Sequence, residues 1–275
     1  MFRLSVRCSA FCPGLTLTVE QQNIVLSLVT KFSPIAIGIA GRRMKRQQRK
    51  CMNVAAIFRQ TSKLQDDLTM YIPKINLATD RDEIVSFMKQ FSFATIVTAK
   101  DNIPIATHLP FLVSLNGENI VLTSHFAKAN EQWKGIENHD ALVIFSEPHA
   151  YISPKHYDKE LNVPTWNYLS IHAYGKGKLI TETENVFKVL EKTIDTYENS
   201  YALQWFRFPL DYRMKLANGI VAFEILVNDL QAKKKLSQNR SETEKQRIID
   251  TLSRSNDTNE QLIADYMKKD QKVQK

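Results

Sequence analysis

From Phe93 onward the chain consists of short segments rich in β-forming residues, separated by residues that favour turns. Phe93–Ala99 and Ile103–Leu109 are joined through Lys100-Asp101-Asn102, and Phe111–Leu115 leads directly into Asn116-Gly117. Asn-Gly is a strong signal for a tight hairpin turn because both residues can take positive φ. Strands that follow one another through such short connections pair antiparallel, and this constrains the fold more than any other feature of the sequence.

Further strands and several helices complete the pattern. Five more segments are predicted to be strands: Asn119–Ser124, Ala141–Ser146, His149–Ser153, Tyr168–Ile180 and Gly219–Val227. Helices are predicted after a cap at Thr79 or Asp80 and over Asn130–Asn138, Thr183–Tyr197, Ser241–Leu252 and Thr258–Lys269. Sequential antiparallel strands with peripheral helices predict a mainly β (α+β) fold, in which helices surround a closed β-barrel.

The net charge of the chain is concentrated in its first quarter. The sequence has 37 Lys and Arg and 29 Asp and Glu, which gives a formal net charge of +8. Residues 1–69 contain 11 of the basic and three of the acidic residues, so 26 of each remain from Met70 onward. A neutral domain has no general attraction for a phosphate backbone, so the positive net charge does not indicate nucleic-acid binding by residues 70–275.

Other residue types divide at the same point. The three cysteines, Cys8, Cys12 and Cys51, precede Met70, whereas all six His and all three Trp follow it. Residues 1–69 are open to three interpretations: a targeting segment, a basic arm that binds nucleic acid, or sequence translated from a start codon placed too early. We predict that residues 1–69 are an irregular or disordered, dispensable extension and that residues 70–275 are the functional domain.

The lack of cysteine after Cys51 narrows the chemistry of residues 70–275. They contain no disulfide, no thiolate zinc site and no cysteine nucleophile. The histidines show neither HxxxH nor HExxH spacing, so we predict no metal site. The lack of cysteine is also typical of a cytoplasmic protein. No run of about 18 apolar residues is present, so we expect no transmembrane helix.

The segment from Ser124 to Asn130 contains the residue types that bind a phosphate monoester. The Ser124 hydroxyl can donate a hydrogen bond, His125 and Lys128 can supply positive charge, and Asn130 can cap the helix predicted to begin there. Backbone N–H groups at a helix start favour phosphate, and a nearby cation adds a charge-assisted hydrogen bond. The alternative is structural: Asn130 only caps the helix and Lys128 is a solvated turn residue.

Four other residues are candidates for contact with a planar ligand. Trp166 and Tyr168 have aromatic faces, and the Asn167 amide between them can both donate and accept hydrogen bonds. His108 alternates with apolar residues on a predicted strand, so its side chain can point into a cleft. The alternatives are barrel core and dimer contacts for the first three residues, and a partly buried structural histidine for His108.

Five motifs occur in a specific order and spacing. They are MYIP (70–73), SHFAKANEQW (124–133), EPHAYISPKHY (147–157), VPTWNY with the following IH and YG (163–175), and KLSQNR (235–240). Together they resemble the PaiB family of FMN-binding negative transcriptional regulators, over about Met70–Met267. The resemblance implies an antiparallel split β-barrel like that of pyridoxamine phosphate oxidases, a homodimer, and FMN bound near the subunit interface.

Three functions are compatible with this resemblance. The first is an FMN-binding regulator, linked in the family to repression of protease production and sporulation. We expect any contact with DNA or a transcription-related partner to be indirect, since no helix–turn–helix is evident and Lys233–Lys235 is typical of a solvated turn. The second is an FMN-dependent oxidoreductase of the split-barrel flavin reductase or pyridoxamine phosphate oxidase type. The third is a dimeric scaffold that has lost flavin.

Overall fold

The computed structural model describes residues 70–273, and the predictions made for residues 1–69 lie outside the described residues. The described part forms a nine-stranded antiparallel sheet with helices around it. The strands are β1 (Phe93–Lys100), β2 (Ile103–Pro110), β3 (Leu112–Asn116), β4 (Asn119–Ala127), β5 (Asp140–Phe145), β6 (His149–Ile152), β7 (Thr165–Ile180), β8 (Ile220–Leu226) and β9 (Asp229–Lys235). The helical segments surround this sheet and contribute to its core.

The long strand β7 connects two sections of the sheet. The main strand order is β2-β1-β5-β7-β8-β4-β3, and β6 and β9 also pair with β7. Along β7, residues 165–168 pair with β6, 168–174 with β9, 171–176 with β5 and 177–180 with β8. One section therefore contains β1, β2, β5, β6 and β9, and the other contains β3, β4 and β8.

The two sections pack face to face around one hydrophobic core. The Phe111 ring contacts the ring of Phe145 on β5 at a centroid distance of 6.1 Å and that of Phe223 on β8 at 6.2 Å. Phe126 on β4 stacks on Phe223 at 4.8 Å, and all four rings are buried.

The prediction of a mainly β split barrel with peripheral and C-terminal helices is confirmed. The prediction of a closed barrel is wrong, because the strand order of the described residues ends at β2 and β3 without joining them.

The described residues form six α-helices, and the sequence predicts the side-chain caps at which two of them begin. The six are α1 (Arg81–Gln90), α2 (Thr183–Glu198), α3 (Ala202–Arg207), α4 (Leu210–Asn218), α5 (Glu242–Leu252) and α6 (Thr258–Val273). The Asp80 carboxylate accepts a hydrogen bond from the Glu83 N–H at 3.0 Å, and Ser241 with Glu244 forms the predicted capping box of α5. The segment predicted as a helix over Asn130–Asn138 is instead a 3-10 helix over Glu131–Gly135. Helices α3 and α4 were not predicted.

Both predicted turns are present, but their backbones differ. Between β1 and β2, Asp101 and Asn102 both have positive φ, at 52° and 63°. Between β3 and β4 only Gly117 has a positive φ, at 59°, so the expectation for the Asn116-Gly117 pair is confirmed for Gly117 and wrong for Asn116. Strand β7 begins three residues earlier than predicted, at Thr165. The interpretation of Lys233–Lys235 as a solvated turn is wrong, because these residues lie on β9 and pair with β7.

Helices of the described part can also be compared with the thickness of a bilayer. Among residues 70–273, no helix is both long enough and apolar enough to cross a membrane.

Candidate functional site

Lys128 lies at the turn that follows β4, on a backbone held from both sides. Its N–H donates to the Gly219 carbonyl at 2.8 Å, and its carbonyl accepts a hydrogen bond from Trp133 Nε1 at 3.2 Å. The side chain is exposed, and its ammonium makes no hydrogen bond or ion pair within residues 70–273. A fixed backbone thus presents a positive charge without an internal partner.

An uncharged polar cluster anchors the segment after Lys128 to the sheet. Asn130 Nδ2 donates to Thr107 Oγ1 at 2.9 Å, and Thr107 Oγ1 donates to Gln132 Oε1 at 2.6 Å. The buried Gln132 amide donates to the carbonyls of Ile96 on β1 at 3.3 Å and Ile105 on β2 at 3.1 Å. Since Asn130 Oδ1 accepts from the Gln132 N–H at 3.1 Å, both polar ends of the Asn130 side chain have internal partners.

The helical segment next to Lys128 contributes little to anion binding. It is a five-residue 3-10 helix, whose N-terminal dipole is small compared with that of a long α-helix. Glu131 lies in its first turn, and its carboxylate pairs with Lys134 at 2.5 Å. This hydrogen bond from Lys134 lowers the pKa of Glu131. Lys128 is then an unpaired positive charge at this turn, and Lys100 also lies near enough to act on the Glu131 carboxylate.

Ser124 and His125 lie on opposite faces of β4. The Ser124 side chain points inward, is 3% exposed, and donates to the Pro110 carbonyl at 2.7 Å. The His125 side chain is half-buried on the outer face, and burial lowers its pKa. A positive charge on His125 is therefore disfavoured at neutral pH, which leaves Lys128 as the cation of the predicted phosphate segment.

His108 lies on the edge strand β2, next to the polar cluster. Its ring is exposed and lies 6.4 Å from the Phe93 ring, with an angle of 23° between the two planes. The preceding residue, Thr107, is the centre of the cluster that holds Asn130, but adjacent side chains of a strand point to opposite faces. The His108 ring therefore lies on the face of β2 opposite the polar cluster and does not join it.

Trp166 and Tyr168 belong to an aromatic group on the outer face of β6, β7 and β9. Trp166 is 51% exposed, and its ring lies 5.9 Å from that of Tyr151 and 5.8 Å from that of His149. The Lys233 ammonium lies 5.2 Å from the centre of the Tyr168 ring and 5.6 Å from that of the Tyr71 ring. We call Tyr71, Tyr151, Trp166 and Tyr168 the aromatic group.

Asn167, between Trp166 and Tyr168, points into the opposite side of the strand. Its side chain is fully buried, and Oδ1 accepts a hydrogen bond from Ser237 Oγ at 3.0 Å. Nδ2 approaches the sulfur of Met267 on α6 at 3.5 Å. In this conformation the amide joins β7 to the segment after β9 and to α6, and it does not face a surface ligand.

The predicted residues fall into two groups near opposite ends of β7. Ala222 on β8 pairs with both His125 and Ile180, so the Lys128 turn lies near the Ile180 end. Trp166 is the second residue of this 16-residue strand. At ~3.3 Å per residue the contour of this strand is on the order of 50 Å, so Lys128 and Trp166 belong to separate regions of the chain.

Several residues of these two regions were missed by sequence reasoning. Thr107 and Gln132 organise the Lys128 turn, and Lys233, Lys235 and Arg240 surround the start of β7. The KLSQNR motif contains both Lys235 and Arg240 and could have identified them, but the sequence analysis gave these two residues no role. Within residues 70–273, no group of three or more His, Cys, Asp or Glu is close enough to bind a metal ion.

Comparison with known proteins connects these observations with flavin. Residues 70–229 match the family described as "Putative FMN-binding domain". The protein of Bacillus subtilis (strain 168) named "Protease synthase and sporulation protein PAI 2" is 39% identical over 201 residues, which cover 72% of this chain and 96% of that protein. An uncharacterized protein of Emericella nidulans is 27% identical over 183 residues, covering 52% of this chain and 73% of that protein.

Two solved structures are similar to the described part at low sequence identity. A flavocytochrome from Azotobacter vinelandii has a TM-score of 0.48 and 15% identity, covering 60% of this chain and 72% of that chain. A FAD- and heme-binding protein from Mycobacterium smegmatis has a TM-score of 0.47 and 14% identity, covering 58% and 73%. The family match spans more than half of the sequence and the B. subtilis relative is covered almost completely. The chain therefore belongs to the FMN-binding family of the PaiB type, and its cofactor is FMN.

Proposed function

We propose that this chain is an FMN-binding negative transcriptional regulator of the PaiB type that acts as a homodimer in the cytoplasm. The name of the B. subtilis relative connects that protein with protease synthesis and sporulation, and the two chains are 39% identical over 96% of its length. The single structural observation that carries the proposal is the position of Lys128 and Trp166 at opposite ends of β7. A flavin that contacts both residues needs two chains.

The residues of the two regions suit the two parts of FMN. Lys128 offers an unpaired ammonium for the phosphate, and the half-exposed Trp166 offers an aromatic face for the ring. Asn130 would position the Lys128 turn, and the buried hydrogen bonds of Ser124 and Asn167 would stabilise the barrel. Bound FMN supplies hydride- or electron-transfer chemistry, and the protein binds and orients it.

The outer face of β1, β5 and β7 supports the homodimer. Val97, Leu142 and Tyr174 are paired across these three strands and point outward, next to Ile144 in the neighbouring row. All four side chains are only half-buried. An apolar patch on a sheet favours association, here with Thr95 and His172 beside Ile144 in its row, and a symmetric dimer buries the same patch of each copy.

The phosphate role of Lys128 is tested by comparing FMN with riboflavin, which lacks the phosphate. Lys128→Ala should weaken the binding of FMN by about 1.5–3 kcal/mol, roughly ten- to a hundredfold in Kd, and leave the binding of riboflavin unchanged. Lys134→Ala is the matched control, since Lys134 is a nearby exposed lysine whose ammonium pairs with Glu131. Equal weakening of both ligands by Lys128→Ala would remove Lys128 from the phosphate role.

The shared site is tested by mixing two chains that each bind FMN more weakly than the unchanged chain. Lys128→Ala and Trp166→Ala chains, unfolded together and refolded as a mixture, should bind FMN with the unchanged affinity at about a quarter of their sites. In a mixed dimer with composite sites, one site carries both substitutions and the other carries neither. If each site is formed by one chain, no mixture recovers an intact site, and the dimer argument fails.

We infer that repression does not depend on sequence reading by residues 70–275. Their basic and acidic residues are equal in number, whereas specific readers combine base contacts with several phosphate contacts. A chain that starts at Met70 should bind promoter DNA and scrambled DNA equally weakly in gel shifts at about physiological salt. A clear preference for the promoter would make the protein a direct repressor.

An FMN-dependent oxidoreductase is the second candidate function. The cofactor itself favours it, since FMN carries out hydride and electron transfer in many enzymes. The purified FMN-loaded protein should then consume NADH or NADPH catalytically under aerobic conditions. A regulator without this activity would show no turnover above that of free FMN.

A further inference from the structure

A cavity of about 350 Å³ lies at the Thr165 end of β7. Three segments form it: residues 73–76, residues 163–165 and residues 235–240. These belong to or adjoin three of the five sequence motifs, yet neither Lys128 nor Trp166 lines the cavity. The proposed flavin contacts therefore leave it without a function.

Two cations and no carboxylate line this cavity. The Lys235 ammonium donates to the Thr165 hydroxyl and has no acidic partner within residues 70–273. The Arg240 guanidinium stacks 3.6 Å above the Tyr157 ring, and its Nη1 donates to Asn162 Oδ1 at 3.0 Å. The stacked Arg240 still has N–H donors to offer, and Lys235 has two more. Burial lowers the pKa of Lys235, so an anionic partner would compensate for lost hydration.

Asn76 adds a polar group to the cavity. Its side chain lines the cavity and is 9% exposed. Its amide is not among the buried polar atoms of the described chain that lack a partner, so it is open to solvent and can form hydrogen bonds with a ligand.

The polar wall of the cavity is held in a fixed conformation. Ser237 has a φ of 60°, a left-handed backbone that is uncommon outside glycine, and its hydroxyl is bonded to the buried Asn167. The Gln238 amide accepts from the Leu236 N–H at 2.7 Å and donates to the Lys234 carbonyl at 2.6 Å. These bonds fix the loop that carries Arg240 before any ligand arrives, which is typical of a preformed binding site.

The remaining wall is apolar. Pro73, Ile75, Val163 and Pro164 line it, and Ile75 and Val163 are more than half exposed. A cavity with two cations on one side and aliphatic surface on the other suits a ligand with a charged end and a compact apolar body. Inorganic ions alone would leave the apolar wall unused.

We propose that this cavity is a second ligand site, separate from the flavin site, and that it binds a small organic anion whose phosphate or carboxylate contacts Lys235 and Arg240. The Asn76 amide supplies a further hydrogen bond, and the apolar wall contacts the body of the ligand. The proposal does not depend on the regulatory role.

The test uses full-length protein saturated with FMN and three compounds of similar size: phenyl phosphate, benzoate and benzyl alcohol. Calorimetric titration should show binding of at least one of the two anions, one per chain, and much weaker binding of the neutral alcohol. Lys235→Gln and Arg240→Gln should each weaken the binding of that anion roughly ten- to a hundredfold. Lys233→Gln is the matched control, because Lys233 lies two residues earlier on β9 and does not line the cavity.

Separate readouts distinguish this site from the flavin site. Lys235→Gln should leave FMN affinity unchanged, and Lys128→Ala should leave anion affinity unchanged. If Lys235→Gln weakens FMN as much as the anion, the cavity is part of the flavin site and the proposal is overturned. Absence of anion binding at concentrations up to about 10 mM would also overturn the proposal. Such a result would mean a binding free energy of less than about 3 kcal/mol. Asn76→Ala provides an independent variant, and thermal unfolding identifies any variant that has lost its fold.

Discussion

The two ends of β7 hold their positive charges in different ways. At the Ile180 end, Lys128 is exposed on a turn that uncharged side chains anchor to β1 and β2. At the Thr165 end, Lys233 lies over two tyrosine rings, and Lys235 and Arg240 line a cavity without carboxylates. An exposed charge is accessible but strongly screened by water, whereas a desolvated charge interacts more strongly with a partner. The first end is suited to the charged edge of a large ligand, and the cavity at the second end is suited to a small anion.

The connection between the two ends depends on close backbone packing in the middle of β7. Pairing changes there from β5 to β8, and Gly175 and Gly177 flank the change. A Cβ atom on Gly175 would lie 2.3 Å from the Leu226 carbonyl oxygen, and one on Gly177 would lie 2.4 Å from Ile136 Cγ1. The first contact is with backbone and the second with a side chain. A side chain can move to relieve a clash more easily than the backbone of a strand can.

The largest effect is expected for Gly175→Ala. The clash with the β8 backbone cannot be relieved by a rotamer change, so we expect a loss of about 3 kcal/mol in the free energy of unfolding. For a domain of this size that lowers Tm by roughly 6–12 °C, measurable by thermal unfolding. Gly177→Ala is the matched comparison. Ile136 is fully buried, so Ile136→Ala is itself destabilising, but the double variant with Gly177→Ala should lose less than the sum of the two single losses. The losses from Gly175→Ala and Ile136→Ala should instead add, and a less-than-additive loss there would contradict this account of the packing.

A smaller effect is expected at the aromatic group. Trp166→Ala should weaken FMN and riboflavin alike, by about 0.5–1.5 kcal/mol or roughly two- to tenfold in Kd, because stacking involves only the ring. Tyr197→Ala is the control, since Tyr197 is a similarly exposed aromatic residue on α2. Fluorescence titration of both ligands measures the effect. Selective weakening of FMN would mean that Trp166 acts on the phosphate, and the contrast between the ends of β7 would be lost.

Local features of the fold were predictable from sequence, and remote ones were not. The turns at Asp101-Asn102 and Gly117 follow from the conformations that those residues themselves tolerate. Strand β9 was missed because its lysines are stabilised by distant partners: Lys234 pairs with Glu83 on α1 at 3.0 Å and with Asp270 on α6 at 3.1 Å. No local pattern contains that information.

The candidate site shows the same limit at the level of side chains. Sequence reasoning selected suitable residue types, but strand alternation left open which face is inward. The structure points Ser124 and Asn167 into the protein, whereas His125 and Trp166, their immediate neighbours, lie on the outer face. The inward face depends on which strands pair, and pairing between the two sheet sections is a property of the whole barrel. The same topology places Lys128 and Trp166 near opposite ends of β7.

Acid should destabilise the protein through three histidines that are partly or fully buried. Burial lowers the pKa of His125 and His172, and that of His156 together with the nearby Lys155 and Arg247. As the pH falls below about 6.5, the unfolded chain takes up protons that the folded chain does not, so stability present above that pH is lost. Urea unfolding at pH 7.5 and 5.5 should show lower stability at pH 5.5, and His125→Gln should reduce the difference. An unchanged pH dependence would exclude His125, at the Lys128 end, from this effect.

The smallest effect is expected from removal of residues 1–69. The Met70 N–H donates to Gln231 Oε1 on β9 at 2.8 Å, and a chain that starts at Met70 keeps a donor there as its terminal ammonium. This contact lies on the side of β7 that pairs with β9, far from Lys128. The shortened chain should therefore keep its Tm, its oligomeric state and its FMN affinity. A loss of several degrees would mean that residues 1–69 pack on the domain, since ~1 kcal/mol corresponds to ~2–4 °C for a domain of this size. Weaker FMN binding at unchanged Tm would instead mean that they contribute to the flavin site, and the difference between the two ends of β7 would then involve a third segment of the chain.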